Sequence, residues 1–473
     1  MKKLLLLLLS VTCTAGAQQL LVPPYLQPGN SPALTKEQKV LIWQTDSVPG
    51  SFKVEYGQGS NFEDIQKVST AKISSVQLRI DNKTTVLYRA QLSRVTFDNE
   101  YVYRVTLNGN PVATKSFNSR TKKPQTRFVV FGDCGAGTPQ QAKIAYQVYN
   151  QKPQFVLITG DNVYSDGLGR EYLRNFFPYY LAPEADSLKG APLMSSVPFY
   201  TMLGNHDVHG TDLDKTPDGL AYFYYADLPL NAPVTELTIK ATGSPERVKD
   251  FNKNTDNRFP EIANYSFDYG NVHIACLDAN MYTNPLDPTL MAWLQNDMKT
   301  SRADWKIVAF HHPGFNTANT HYDDQLMRLC SPQFESMGVD LVFSGHVHNY
   351  QRSKPLIFSP KKNEDHTLYI ITPEGRVDGE FELDEQFDGK TNTKPKGIIY
   401  IVTGAGGATL YDPGLSGNPD LWKHDLPGNW VPFTAKLIAD VHSFTLIETE
   451  QKKLTLKQVN ESGKVLDEIT VTK

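Results

Sequence analysis

Phe155-Val156-Leu157-Ile158-Thr159-Gly160-Asp161-Asn162-Val163-Tyr164 decides the fold: an apolar run that opens, at a glycine, into a loop carrying a carboxylate and a phenol. A short apolar run bounded by a turn signal reads as a strand buried on both faces. A carboxylate at its end can bridge two cations. Tyr164, three residues on, is the unusual part, because a phenol joins a metal site as a strong ligand only when a highly charged cation such as Fe(III) removes its proton. Taken alone, the stretch is read equally well as a strand ending in an Asp turn, with Tyr164 as packing.

Working outward, the same shape recurs four times. The apolar run 127–131 leads to Gly132-Asp133-Cys134-Gly135, and 198–203 leads to Gly204-Asn205-His206-Asp207. The run 306–310 leads to His311-His312-Pro313, and 341–344 to Gly345-His346-Val347-His348. In an α/β sheet ligands gather outside the carboxyl ends of the strands, so five such loops would deliver their polar side chains into one cleft. Each motif alone is weak; five in order are not a coincidence. Hard oxygen donors and imidazoles suit first-row cations rather than thiolate-loving ones.

The rest of the second half fits this reading. Apolar runs alternate with stretches of helical spacing, as at Leu290, Trp293 and Leu294, which is the rhythm of a layered α/β domain. The segments 231–261 and 359–396 are polar, break that rhythm and read as surface insertions. The end of the chain, 443–448, 454–459 and 467–471, reads as closing antiparallel strands.

From about Leu21 to Asn118 the pattern changes to short alternating runs, among them 39–43, 51–57, 87–92 and 100–105. Seven or so strands over ~100 residues suggest a β-sandwich. Trp43 on an early strand, Tyr56-Gly57 at a strand end and Tyr101-x-Tyr103-x-Val105 resemble a fibronectin type III module. The polar, basic stretch 118–126 with its proline reads as a solvated linker between independently folded units.

Composition bounds the partners. At 473 residues, 40% apolar and 21% charged, the chain is of ordinary globular composition and long enough for two domains. Met1-Lys2-Lys3, the run Leu4 to Leu9 and Ala15-Gly16-Ala17 read as a signal peptide cleaved before Gln18, which makes the protein exported, periplasmic or secreted. Cys13 could instead be a lipidation site, but Thr12 is bulkier than the small residue expected before a lipidated cysteine. No stretch reaches the roughly 20 apolar residues of a membrane helix. Without the leader's two lysines the net charge goes from −4 to −6, which argues against nucleic acid as a partner. Cys134, Cys276 and Cys330 remain, with no spacing that indicates a disulfide framework or a thiolate metal site.

With the five loops in hand, the set DxG, GDxxY, GNHD, VxxH and GHxH resembles the purple acid phosphatase branch of the metallophosphoesterases, in its two-domain form. With the leader, sandwich and linker read above, the resemblance implies an α/β (α+β) chain divided as 1–17 signal peptide, 18–120 sandwich, 121–127 linker and 128–473 catalytic domain, with a dinuclear metal site at strand ends. It implies Asp133, Tyr164 and His348 as ligands of a ferric ion, Asp161 as the bridge, and Asn205, His311 and His346 as ligands of a divalent ion, Zn, Mn or Fe. The residues agree on one point: related phosphoesterases use DxH in the first loop, whereas Gly135 stands third here, so Tyr164 can replace the missing ligand. The spacing from Val308 selects His311 over His312, which is left to orient neighbours.

The implied reaction is hydrolysis of a phosphate monoester by a metal-activated hydroxide, with a small-molecule phosphate ester as substrate. His206 is the candidate for binding phosphate, and His321 resembles a family histidine that can protonate the leaving group. His209, His273, His366, His424 and His442 read as structural. Two departures stand out: Cys134 is expected close to the metals, where oxidation would matter, and Gln351 replaces the carboxylate of the family's Tyr-Glu-Arg. A phosphodiesterase or nucleotidase would use the same ligands, and a binding protein with vestigial catalysis is a further alternative. Intact Asn205, His206 and all seven ligands argue against the last. Natural substrate and oligomeric state are not legible.

Overall fold

The computed structural model describes residues 18–423 and 432–473; the expected leader, Cys13 and His424 lie outside the described residues. Eight strands come first: β1 (Leu20–Gln27), β2 (Lys39–Asp46), β3 (Phe52–Gln58), β4 (Ser69–Thr70), β5 (Lys72–Ile80), β6 (Lys83–Leu92), β7 (Glu100–Leu107) and β8 (Asn110–Asn118). They form two four-stranded sheets in the orders β1-β2-β6-β5 and β4-β3-β7-β8. Side chains alternate across a strand, and β2 uses both faces. Leu41 and Trp43 join Val54, Tyr56 and Tyr103 inside the sandwich. Val40 and Ile42 point the other way, into the core that also holds Phe128, Phe155 and Phe177. Each such side chain removed from water is worth roughly 1.5–3 kcal/mol, so the sandwich and the second unit share a core.

The stretch between them is accordingly not the solvated linker its composition suggests. Lys122 and Lys123 are exposed, but Arg120 is only 1% exposed and Thr121 is buried. Arg120 donates to Glu37 at 2.6 Å, to the carbonyl of Asp268 at 3.0 Å and to Ser31 and the carbonyl of Lys36, each at 2.8 Å. A buried guanidinium is tolerable only when paired and hydrogen-bonded, and Glu37 supplies the charge. The following strand already begins at Gln125.

The second unit is two facing sheets. One contains β9 (Gln125–Phe131), β10 (Phe155–Ile158) and β11 (Phe199–Thr201) in parallel, extended through β9 by the antiparallel C-terminal strands (Ser443–Glu450, Lys453–Asn460 and Val465–Thr472). The other is built on β12 (Tyr265–Tyr269), β13 (Val272–Leu277), β14 (Trp305–Phe310) and β15 (Leu341–Ser344), continued by three more strands. Tyr200 of β11 stacks on Phe267 of β12 with ring centroids 3.6 Å apart, closing the space between the sheets. Alternation sorts β14 in the same way: Ile307 and Ala309 face the other sheet, while Val308 and Phe310 face the helix Pro288–Thr300. That helix presents Leu290, Leu294 and Met298 at i, i+4 and i+8, and Asp287 caps it by accepting from the N–H groups of Thr289 and Leu290.

Neither polar insertion is a simple surface loop. Segment 231–261 contains the helix Pro245–Thr255, whose Phe251 is buried against Tyr224 and Phe259. Segment 359–396 includes the strand Gly379–Leu383, paired with Leu356–Pro360, and sends Arg376 to Asp323.

His273, read as structural from sequence, has a defined electrostatic role. Its Nδ1 lies 2.7 Å from Asp268 and its Nε2 2.9 Å from Asp297, so both ring nitrogens donate and the ring is an imidazolium. Burial opposes the charge, but the two carboxylates prevail and raise the group to about 9. A folded-state value above the unfolded one, roughly 6.5, gives stability fully present below that pH and lost as pH rises through about 9. Thermal unfolding is therefore expected to show a loss on the order of 2–3 kcal/mol between pH 6 and 10 that His273→Gln does not share. Parallel pH profiles for the two proteins would remove this role.

Candidate metal centre

The loops after β9, β10, β11, β14 and β15 meet at one end of the two sheets. Each must turn sharply, and Asp133, Asp161 and His346 adopt left-handed backbone conformations with φ of 57°, 50° and 68°. Such angles are uncommon for non-glycine residues and persist where the surroundings hold them. Two glycines make the close approach possible. A Cβ on Gly204 would lie 2.1 Å from Asp161 Oδ1, and one on Gly135 would lie 1.9 Å from the carbonyl oxygen of Asn162. No side chain of any kind fits at Gly135, which is why this first loop offers one ligand where DxH offers two.

The donors fall into two groups that share Asp161. On one side Tyr164 Oη lies 3.3 Å from Asp133 Oδ1 and 3.1 Å from His348 Nε2, and His348 Nε2 lies 3.4 Å from Asp133. On the other, His311 Nε2 lies 3.4 Å from Asp161 Oδ1 and 3.1 Å from Asn205 Oδ1. Asp133, Asp161 and His348 form one set, and Asp161, His311 and His346 another, with ligand atoms within 4.8 Å of one another in each set.

Hydrogen bonds select the nitrogen that each ring turns to the centre. His311 gives Nδ1 to the carbonyl of Thr159 at 2.7 Å and His348 gives Nδ1 to that of Thr409 at 2.6 Å, leaving Nε2 for a cation in both. His346 has Nε2 3.2 Å from Asp324 Oδ2, which leaves Nδ1. A ligating histidine characteristically spends its other nitrogen this way.

The charges agree. Burial works against the Asp161 carboxylate, but His311, then His206 and His346, hold it well below the usual range. The same pair raises His311 against its own burial. Burial pulls His346 down to about 4, so that imidazole is neutral and ready to ligate at neutral pH. Burial first, then Asp161 and Asp133, pushes the Tyr164 phenol well above 10. Its proton leaves only if a cation outweighs those carboxylates.

Several other residues hold the site. Asp207 accepts from the backbone N–H groups of Asn162, at 3.2 Å, and Gly204, at 2.9 Å, and so locks the second loop to the third. His206 donates its backbone N–H to Asp161 Oδ1 at 2.9 Å, and its Nδ1 is engaged by the carbonyl of Ser165 at 2.6 Å. Its Nε2 then stands 4.0 Å from Asp161 Oδ2, at the edge of the centre. His312 is buried beside His346, ring centroids 4.3 Å apart, and burial keeps it neutral. His321 lies against His346, ring centroids 3.9 Å apart and planes tilted by 41°.

Sequence reasoning missed Asp324 and Tyr411. Tyr411 lies parallel to the His348 ring, centroids 3.9 Å apart. Neither residue follows an apolar run, so the signal that found the candidate ligands does not reach them. Gln351 is no vacancy: its Oε1 accepts from the N–H of Thr317 at 2.7 Å and its Nε2 donates to Asn316 at 2.8 Å, fixing the loop that carries His321. Cys134, next to Asp133, is buried in the core beside Tyr180, where burial raises its thiol, and it lies close enough to Asp133 and Asp161 to feel their charges.

The donors fit a pair of hard cations: carboxylate, amide and imidazole donors for one, carboxylate, phenol and imidazole for the other, and no thiolate among the described residues.

Residues 126–350 match the calcineurin-like phosphoesterase family. The chain is 26% identical over 336 residues, 67% of its length, to a purple acid phosphatase of Glycine max; the match spans 62% of that protein, less than two thirds. It is 29% identical over 257 residues to purple acid phosphatase 7 of Arabidopsis thaliana, covering 51% of this chain and 68% of that one. In fold it is similar to purple acid phosphatase PPD1 from yellow lupin, with a TM-score of 0.62 at 15% identity over 95% of this chain and 74% of that one. It is also similar to PhoD, with a TM-score of 0.58 at 12% identity over 94% and 92%.

Proposed function

We infer, from a chain that is a purple-acid-phosphatase-like metallophosphoesterase, that it is an exported hydrolase of small phosphate monoesters. The observation that carries the reading is the pair of donor groups sharing Asp161, with Tyr164 in one and Asn205 in the other. In this reading Asp133, Tyr164 and His348 would hold Fe(III), Asn205, His311 and His346 would hold Zn, Mn or Fe(II), and Asp161 would serve both. Such a pair, when bound, polarises a phosphoryl group and makes water nucleophilic near neutral pH.

The chain's own part is positioning. His206, fixed at its backbone by Asp161 and at Nδ1 by Ser165, directs Nε2 at the phosphoryl oxygens and stabilises charge as it builds there. His321, on the loop fixed by Gln351, donates a proton from its ring to the departing alkoxide. The leader at 1–17 supports export, and among the described residues no helix is long and apolar enough to cross a membrane.

The test is kcat/KM of the metal-analysed chain for an aryl phosphate monoester and the matching diester, from acid to neutral pH. A preference of at least tenfold for the monoester is expected. Preference for the diester would make the chain a phosphodiesterase or nucleotidase on the same ligands. No turnover of either ester with both metals bound would sink the hydrolase reading.

A further inference from the structure

One carboxylate beside the centre is used twice. Asp324 Oδ2 lies 3.2 Å from His346 Nε2 and 3.2 Å from His321 Nδ1. The two rings are in contact, centroids 3.9 Å apart and planes tilted by 41°, so a single oxygen sets the orientation of both. Burial disfavours the charge on Asp324, yet the two histidines hold its carboxyl below the usual range, and it is an acceptor toward each.

The loop bearing His321 and Asp324 is held at several points along its length. Asn316 donates to the carbonyl of Thr320 at 2.9 Å, and Asp412 accepts from the N–H of Thr320 at 2.9 Å. The insertion 359–396 adds Arg376 on Asp323, and the N–H of Val377 bonded to Gln325 Oε1 at 3.1 Å. His321 itself takes a left-handed conformation, φ 58°. Anchoring a non-glycine residue there is costly, and the cost is met on both sides of a residue whose ring faces the centre. The bland alternative, an exposed loop histidine with an incidental acidic neighbour, does not account for an oxygen shared with a ring that itself points into the donor cluster.

We propose that Asp324 is a positioning residue that couples the leaving-group histidine to the metal centre, fixing His321 Nε2 on the ester oxygen while orienting His346. The proposal rests on the hydrolase reading and on His321 as proton donor. As the P–O bond breaks, its electron pair stays with the ester oxygen, which takes the Nε2 proton of His321; solvent returns a proton to the ring once the alcohol has left. The help matters most when the leaving alkoxide is basic, as from an alkyl ester, and least for a nitrophenolate, which departs without a proton.

The experiment compares the metal-loaded wild-type chain with Asp324→Asn, His321→Asn and the double variant, on 4-nitrophenyl phosphate and on an alkyl phosphate, with bound metal counted in each. The ratio of kcat/KM for alkyl over nitrophenyl ester is expected to fall by about tenfold or more in Asp324→Asn with two metals still bound. The double variant is expected to show the ratio of His321→Asn, because residues acting as a unit are not additive. An equal loss on both esters, or losses that multiply in the double variant, would overturn the proposal. Loss of one metal in Asp324→Asn, with restored binding in excess metal and an unchanged ratio, would make Asp324 a ligand instead. Wild-type turnover of neither ester would point to failure of the hydrolase reading.

Discussion

Asp161→Asn is expected to lower kcat/KM for an aryl phosphate by at least about 1,000-fold, on the order of 4 kcal/mol of transition-state stabilisation, and to leave the chain with at most one tightly bound metal. The reason is specific to the geometry. Among the described residues Asp161 is the one carboxylate common to both donor sets, and it is buried at their junction. An amide keeps the acceptor for the His206 N–H, 2.9 Å from Oδ1, so the loop should retain its shape; what it loses is the charge and a second anionic oxygen. Near-wild-type thermal unfolding of the metal-free variant, beside collapsed turnover and metal content, is the expected combination. His206→Ala separates the roles: it should keep both metals and lose about 100- to 1,000-fold in turnover, since His206 faces the centre without belonging to either set. Two metals and undiminished activity in Asp161→Asn would sink the site.

That the site could be read at all comes from how it is built. Strands β9, β10, β11, β14 and β15 are buried on both faces, so each shows as an apolar run, and the residue that ends the run is carried to the sheet end. Asp133, Asp161, Asn205, His311 and His346 all sit at such endings. Asp324 sits on a loop whose shape is set by distant partners, Gln351, Arg376 and Val377 among them, and Tyr411 on one bonded to the carbonyl of His348, and a pattern with no period announces no contact. The same limit explains Arg120. Its place in a basic, proline-bearing stretch reads as solvent, whereas its donors are satisfied by groups up to 148 residues away. Division into two facing sheets was also beyond reach, since a run buried on both sides looks alike in one sheet or two.

Tyr164→Phe has the sharpest expected signature: the visible colour of the iron-loaded chain should vanish while the fold survives. A phenolate bound to Fe(III) absorbs visible light through charge transfer, and no other donor in either set is a phenol. The electrostatics make this a demanding test of metal identity. Without a cation, burial and the carboxylates of Asp161 and Asp133 push the Tyr164 hydroxyl well above 10, so it stays protonated at any pH where the protein works. A divalent ion must overcome those two carboxylates with less charge than a trivalent one brings, and Zn or Mn(II) in the same place would leave a colourless protein whose spectrum Tyr164→Phe does not change. The structural cost of the substitution is small. The hydroxyl's bonds, 3.3 Å to Asp133 and 3.1 Å to His348, lie inside the donor set rather than in the core, so thermal unfolding of the metal-free chain should move by no more than about 1 kcal/mol. Gly135 removes the obvious substitute. Because no side chain fits there, the first loop cannot supply the imidazole that would take Tyr164's place, and losing the phenol should cost affinity for the ferric ion with no replacement at hand. Wild-type protein purified colourless, with two divalent metals and full activity, would end the ferric assignment while leaving the hydrolase itself intact.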